Sequence, residues 1–224
     1  MLERANDQTA VSAKLLGWFS VNRRHFPWRE TFDRPDPYII LFTEMMLLRT
    51  RAEQVVPVYL EFVRRYPTFE KLASAPRREV ERLFSSLGLD WRTKRVIKLI
   101  RFLESHYNGR IPDDMKGLRG LPGVGDYIAK AVLCYAFGKR EAPVDTNVVR
   151  VITRLFGKLL NPDLARRNKS IVELTNSLVP QGKDAQKFNL ALLDLGALVC
   201  KPVPECNNCP LTTSCEYYRQ NTLT

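Results

Sequence analysis

At 224 residues the chain can bury a sizeable core and form one large domain or two small ones. Thirty-five Lys and Arg against 24 Asp and Glu give a formal charge of +11 and a pI near 9.6, which favours a polyanionic partner. An anionic membrane surface is the weaker reading of that charge: no apolar run approaches the ~20 residues of a membrane span, and the opening MLERANDQTA has no signal-peptide core, so a cytoplasmic protein is expected.

No segment sustains a period of two, whereas apolar residues recur at three and four almost throughout, so the chain is expected to be all-α. Leu15, Leu16, Trp18 and Phe19 seed a first helix ending near Asn22, and RHFPWRETFDRPDPY is a proline-punctuated connector. Tyr38 to Leu48 is nearly continuous apolar sequence and predicts a buried helix. Within it Glu44 has apolar neighbours on nearly every side. Either it occupies one exposed stripe of a half-buried helix, or it is desolvated, which would raise its pKa as a general acid requires.

Helices then follow over Val55–Arg65, Phe69–Ala73, Val80–Leu87 and Arg92–Tyr107, broken at Pro67, Pro76 and Gly88. The last of these places Arg92, Lys94, Arg95, Lys98 and Arg101 opposite Val96, Leu99, Ile100 and Leu103. That pattern suits either a phosphate-gripping face or an ordinary solvated one.

LPGVGDYIAKAV follows, from Leu121 to Val132. Gly123 and Gly125 are expected to supply positive φ and close backbone approach, with free amides at the start of the next helix. Such amides, at the positive end of a helix dipole, favour an anion, and in so basic a chain a nucleic-acid phosphate is the expected one. A plain helix-starting turn fits the same residues. A dinucleotide fingerprint does not, because Ile128 stands where a third glycine is needed. Cys134, inside the apolar helix, reads as a small buried hydrophobe.

In APVDTNVVRVITRLFG, Asp145 precedes Val148, Val149, Ile152 and Phe156 and reads as an N-cap. A capping carboxylate accepts amide hydrogen bonds and is expected to stay ionised, so capping and catalysis are compatible. Further helices are expected near Val148–Phe156, Lys169–Val179 and Ala185–Val199. Four of the five cysteines, Cys200, Cys206, Cys209 and Cys215, then fall in the pattern C-x5-C-x2-C-x5-C. So local a cluster indicates a metal site more than a secreted disulfide scaffold, and the spacing suits a [4Fe–4S] cluster or a tetrahedral zinc ion.

LPGVGxxxAxAV followed by VDTNVxRV resembles the helix-hairpin-helix, Gly/Pro-rich loop and aspartate signature of the endonuclease III and MutY-type DNA glycosylases. FPWRETFDRPDPYIILFTEMMLLRT and FNLALLDLGALVC extend the resemblance over roughly Leu15 to Cys215. It implies a two-lobed helix-hairpin-helix glycosylase fold with a C-terminal iron–sulfur loop. Residues 34–137 would form a six-helix lobe, and 1–33 with 138–224 a second lobe bearing the metal. The family's cysteine spacing is one residue longer in its first interval, and the resemblance favours [4Fe–4S] over zinc as the cofactor.

Further roles come from the resemblance alone. Asp145 would stabilise an oxocarbenium-like sugar and align water, with Glu44 as the second catalytic carboxylate. Tyr127 stands where bifunctional relatives place a lysine. A phenol forms no imine, so a monofunctional enzyme that leaves an abasic site is implied, with Lys130 one turn further on as a source of weak lyase activity. Leu48-Arg49 and Gly88-Leu89 replace the Gln-Gln and Gly-Tyr of adenine glycosylases, and the chain stops nine residues after Cys215. These departures resemble the thymine/uracil mismatch branch. Leu48 and Leu89 would be wedges and Arg49 a partner for the orphaned guanine; Gly123, Gly125 and Asn147 complete the expected DNA contacts. The implied partner is double-stranded DNA containing a mismatch, bound by a monomer in a prokaryotic, nucleoid-associated setting. The alternatives are an adenine glycosylase, a non-catalytic DNA-binding relative and a zinc- or cluster-based redox regulator.

Overall fold

The computed structural model describes residues 2–30, 35–157, 169–182 and 184–222, and every regular element among them is helical. The chain divides into two units, His25–Phe137 and Met1–Arg24 with Gly138–Thr224.

The continuous unit opens with a 3₁₀ turn, Pro27–Arg29, and continues through α2 (Pro37–Leu47), α3 (Ala52–Arg65), α4 (Phe69–Ala73) and α5 (Arg77–Ser85) to α6 (Asp90–Tyr107), α7 (Met115–Gly120) and α8 (Asp126–Tyr135). Helix α2 is its core. Asp36 caps it by accepting from Tyr38 N at 2.8 Å, Pro37 supplies a preset φ in the first turn, and residues from Tyr38 to Met46 are buried on several faces. A helix apolar all round must be surrounded, and α2 packs on α3, α6 and α8. Tyr38, Phe42, Phe62, Phe69 and Phe84 form one aromatic cluster with centroids 5.2–6.1 Å apart. The unit begins at His25 because Trp28 stacks on Phe26 and meets the Tyr59 ring edge-on at 5.4 Å.

Asn108 (φ 49°) and Gly109 (φ 78°) end α6 in left-handed conformations, as the sequence break there predicts. A Cβ on Gly109 would fall 2.4 Å from the Phe69 ring, so glycine is required twice over. Helix α7 is absent from the sequence reading, because MKGLRG has two glycines and no apolar stripe. Asp114 caps it, accepting from Gly117 N at 2.8 Å.

The discontinuous unit contains α1 (Leu2–Asn22), α9 (Thr146–Leu155), α10 (Lys169–Leu178), α11 (Asp184–Leu198) and α12 (Glu216–Thr222), with 3₁₀ turns at Cys206–Asn208 and Thr212–Ser214. Helix α11 packs on α1 and α9 through Phe188, Ala191, Leu192 and Leu195, all essentially buried. Asp194 on α11 is fully buried and accepts from Arg24 N at 2.9 Å and Arg24 Nε at 2.7 Å. This pair fastens the end of the N-terminal segment to a helix 170 residues later. No described helix is long and apolar enough to cross a membrane.

Candidate active site and thiol cluster

The motif from Leu121 to Val132 folds as a hairpin between α7 and α8. Leu121 and Val124 are buried and anchor it. Gly123 is at φ 84°, and a Cβ there would sit 3.1–3.2 Å from Arg95 and Met45 side-chain atoms, so the turn closes tightly on α6 and α2. Gly125 corrects the sequence expectation. Its backbone is extended (φ −97°, ψ −178°), a conformation open to any residue. Nothing lies within 4 Å of a Cβ built on it. It is the N-cap of α8 and makes no side-chain capping hydrogen bond to that helix. Tyr127, half-buried, is the second residue of α8, with Lys130 three residues on.

Glu44 is 7% exposed in the middle of α2, so it belongs to the core and not to an exposed stripe. The next residue, Met45, abuts Gly123, which places Glu44's helix against the hairpin that carries Tyr127.

Beyond α2 the chain turns through Leu48, Arg49 and Thr50. Arg49 is exposed at φ 53°. Leu89 lies in a second turn, at φ 66°, and is 38% exposed. The basic face of α6 holds for Lys94, Arg95, Lys98 and Arg101, all exposed, with Arg95 stacked over the Trp91 ring at 4.6 Å. Arg92 departs from it. It has no solvent exposure and donates to the carbonyl oxygens of Leu48 and Leu87 and to Thr50 Oγ1. Its position was legible, because it lies four, seven and eleven residues before Val96, Leu99 and Leu103 on the buried stripe.

Asp145 begins α9 as expected: Oδ1 accepts from Val148 N at 2.8 Å, and Oδ2 accepts from Asn147 Nδ2 at 3.0 Å. Those bonds favour the charged form, but they are not the largest influence on it. Burial outweighs them and pushes the Asp145 carboxyl above its ordinary value, against Val148 N, Asn147 and the Arg150 charge. Asn147 is drawn into this network: its Oδ1 accepts from Arg150 Nη2 at 2.8 Å. Arg150 also donates to Gly196 O at 2.7 Å and to Cys200 O at 2.7 Å. One turn on, Arg154 donates to Cys200 Sγ at 3.4 Å, Lys201 O at 2.6 Å and Pro202 O at 2.7 Å, with its guanidinium over the Tyr217 ring. Sequence reasoning missed both arginines. Their spacing of four marks one helix face, but the carbonyls they bind lie about fifty residues away.

Cys200, Cys206, Cys209 and Cys215 all line one small cavity, about 20 Å³, beside Arg154 and Tyr217. Burial, then the neighbouring sulfurs, pushes the Cys209 thiol up to about 11; Cys206 and Cys215 are raised by burial and by Cys200. The four sulfurs therefore share one electrostatic environment. Among the described residues no group of three or more His, Cys, Asp or Glu side chains is placed to hold a metal ion as it stands. Cys134 is buried in α8, away from this loop in sequence.

An all-helical chain with a glycine hairpin and a capping aspartate at the start of the helix beyond it defines a known class. Residues 42–176 match the HhH-GPD superfamily of base excision DNA repair proteins, and the chain belongs to that family. It is similar to the thymine/uracil-DNA glycosylase of Methanothermobacter thermautotrophicus, at 40% identity over 92% of each chain. It is also similar to the thymine-DNA glycosylase of Aeropyrum pernix, at 38% identity over 95% of this chain and 96% of that one. The solved structure of a thermostable thymine-DNA glycosylase superposes with a TM-score of 0.86 at 38% identity, covering 96% of this chain and 98% of that one.

Proposed function

We propose that this protein is a monofunctional DNA glycosylase that removes thymine or uracil mispaired with guanine and leaves an abasic site. The observation that carries the reading is Tyr127, a phenol and not an amine, at the start of the hairpin helix in a base excision repair protein. The names of the similar proteins support the choice of base. The adenine alternative is weaker, since Leu48-Arg49 and Gly88-Leu89 stand where the resemblance places Gln-Gln and Gly-Tyr.

The chemistry follows from the residues. Extruding a base costs a few kcal/mol, least at a mispair. Leu48 and Leu89 would fill the vacated stack, and Arg49 would pair with guanine acceptors. The start of α8 beyond Gly125, with Lys94, Arg95, Lys98 and Arg101, would hold backbone phosphates. Cleavage of the N-glycosidic bond develops positive charge on the sugar. As a carboxylate, poorly solvated Asp145 would gain more from that charge than a hydrated one, and its bonds to Val148 and Asn147 fix its direction. Glu44 would protonate or hydrogen-bond the departing base or handle the water. The Tyr127 phenol cannot attack C1′ to form an imine, so water would bond to C1′ as the base departs, and an abasic sugar stays in the strand.

The four thiols around one cavity fit a [4Fe–4S] cluster held by Cys200, Cys206, Cys209 and Cys215. When bound, it supplies thiolate–iron bonds that cross-link the C-terminal turns. Arg154 Nη1, already donating to Cys200 Sγ, would offset the thiolate charge.

A panel of duplexes carrying T, U or A opposite G, and A opposite 8-oxoguanine, tests the reading. Release of T or U is expected, with strand breaks only after alkali and little borohydride-trapped complex. Tyr127→Lys should gain trapping and strand cleavage. Efficient trapping by the wild type would overturn the monofunctional assignment and implicate Lys130. Processing of A alone would overturn the base assignment.

A further inference from the structure

Arg92 is a cation with no solvent exposure and, among the described residues, no carboxylate partner. Burial pulls its guanidinium below the ordinary arginine value. Its Nε has no hydrogen-bond partner either. A methionine or leucine would fill this site without desolvating a charge, so a buried arginine here points to what its donors hold.

Those donors hold two loops. Nη2 donates to Leu48 O and Thr50 Oγ1 in the turn after α2, and Nη1 donates to Leu87 O at 3.4 Å in the turn after α5. Both loops are strained. Among the described residues only three non-glycines have positive φ: Arg49, Leu89 and the α6 cap Asn108. Leu89 is also exposed, and Gly88 before it is at φ 71°. Left-handed backbone at a branched apolar residue persists only where the surroundings over-determine it. Only a planar guanidinium presents donors on both sides of one fork; a lysine ammonium is a single point.

We propose that Arg92 is the positioning residue of base extrusion, holding the Leu48–Thr50 and Leu87–Leu89 loops in fixed register so that Arg49 and Leu89 enter the duplex as a preassembled pair. This rests on the mismatch-glycosylase reading above. Neither loop needs then to be ordered by DNA, which raises the rate of extrusion without adding a phosphate contact.

The test compares Arg92→Lys with the wild type on two substrates, a G·U duplex and the same uracil in an unpaired bubble, with 2-aminopurine beside the target to report unstacking. Duplex affinity should change less than ~2-fold. The 2-aminopurine rise should be lost on the duplex, and single-turnover release should fall ~10-fold or more there but less than ~3-fold in the bubble. Equal losses on both substrates, or a full fluorescence rise on the duplex, would overturn the proposal and leave Arg92 a stabilising residue only. If Arg92→Lys does not fold, Thr50→Val removes one acceptor while keeping the cation, and the same duplex-against-bubble difference decides. Failure of the wild type to release any mispaired base would count against the glycosylase reading, and the fluorescence comparison would still decide the role of Arg92.

Discussion

Asp145 combines two jobs in one carboxylate. As the cap of α9 it must accept from Val148 N, and as the proposed charge-stabilising group it must stay poorly hydrated. The second requirement works against stability. With its folded pKa raised above the unfolded value, the charged form is disfavoured in the fold. Any stability linked to this group is present below the ordinary carboxylate pKa and is lost as pH rises through the raised value. Asp145→Asn should therefore abolish base release with duplex binding retained. Its Tm relative to wild type should also be more favourable at pH 8 than at pH 4. A Tm difference that does not vary with pH would contradict this sign, and wild-type turnover would leave Asp145 a helix cap alone. The cap was legible in the sequence because it depends on residues three apart. The raised pKa was not, because it depends on burial.

Among elements, the start of α9 is positioned by a residue with no side chain. A Cβ on Gly196 of α11 would lie 2.8 Å from Asn147 Cβ and 3.2 Å from Asn147 O. Since backbone yields little, Gly196→Ala should push away the segment holding Asn147 and Asp145. It should destabilise by ~1–3 kcal/mol and slow base release. Gly17→Ala in α1, where nothing lies within 4 Å, serves as the control and should be neutral or stabilising by up to ~1 kcal/mol. Denaturant melts of the two variants decide it; equal effects would mean the α9–α11 contact yields freely. Helices with a continuous apolar stripe were legible to within a few residues: α2, α4 and α6 fall where Tyr38–Leu48, Phe69–Ala73 and Arg92–Tyr107 predict. Helices α7 and α12 were not, since MKGLRG and EYYRQNT are short and mostly polar and follow from what surrounds them. In the site, Glu44, Asp145 and the hairpin were visible as local patterns. The loop-holding role of Arg92 and the reach of Arg150 and Arg154 were not, because they join segments about 40 to 50 residues apart.

At the scale of the whole chain, the discontinuous unit is the one that must close over long sequence separations. The chain leaves it at Arg24 and returns at Gly138. Its last segment, from Cys200 onward, has little regular structure beyond two 3₁₀ turns and α12. That segment is fastened by Arg150 and Arg154 from α9, by Lys14 of α1, whose Nζ donates to Thr213 Oγ1 at 2.6 Å, and by buried Leu211. Apart from Leu211 these are polar contacts, and burial, together with the neighbouring sulfurs, raises three of the thiols, which opposes leaving them as bare thiolates. Iron–thiolate bonds would both neutralise that cost and cross-link the turns. Protein purified without oxygen should then be brown, with a broad absorbance near ~400 nm and about four irons per chain. On heating, bleaching of that band should coincide with loss of hydrogen-exchange protection in α9, α11 and α12, because these helices meet the loop directly. Cys209→Ser, removing the thiol that is pushed up to about 11, should lose the colour and the same protection. Protection in α2 and α8, which belong to the continuous unit, should fall less. A colourless protein with stoichiometric zinc would replace the cluster by a single ion, and a fully protected α9 in colourless Cys209→Ser would show that the arginine web holds the unit without any metal.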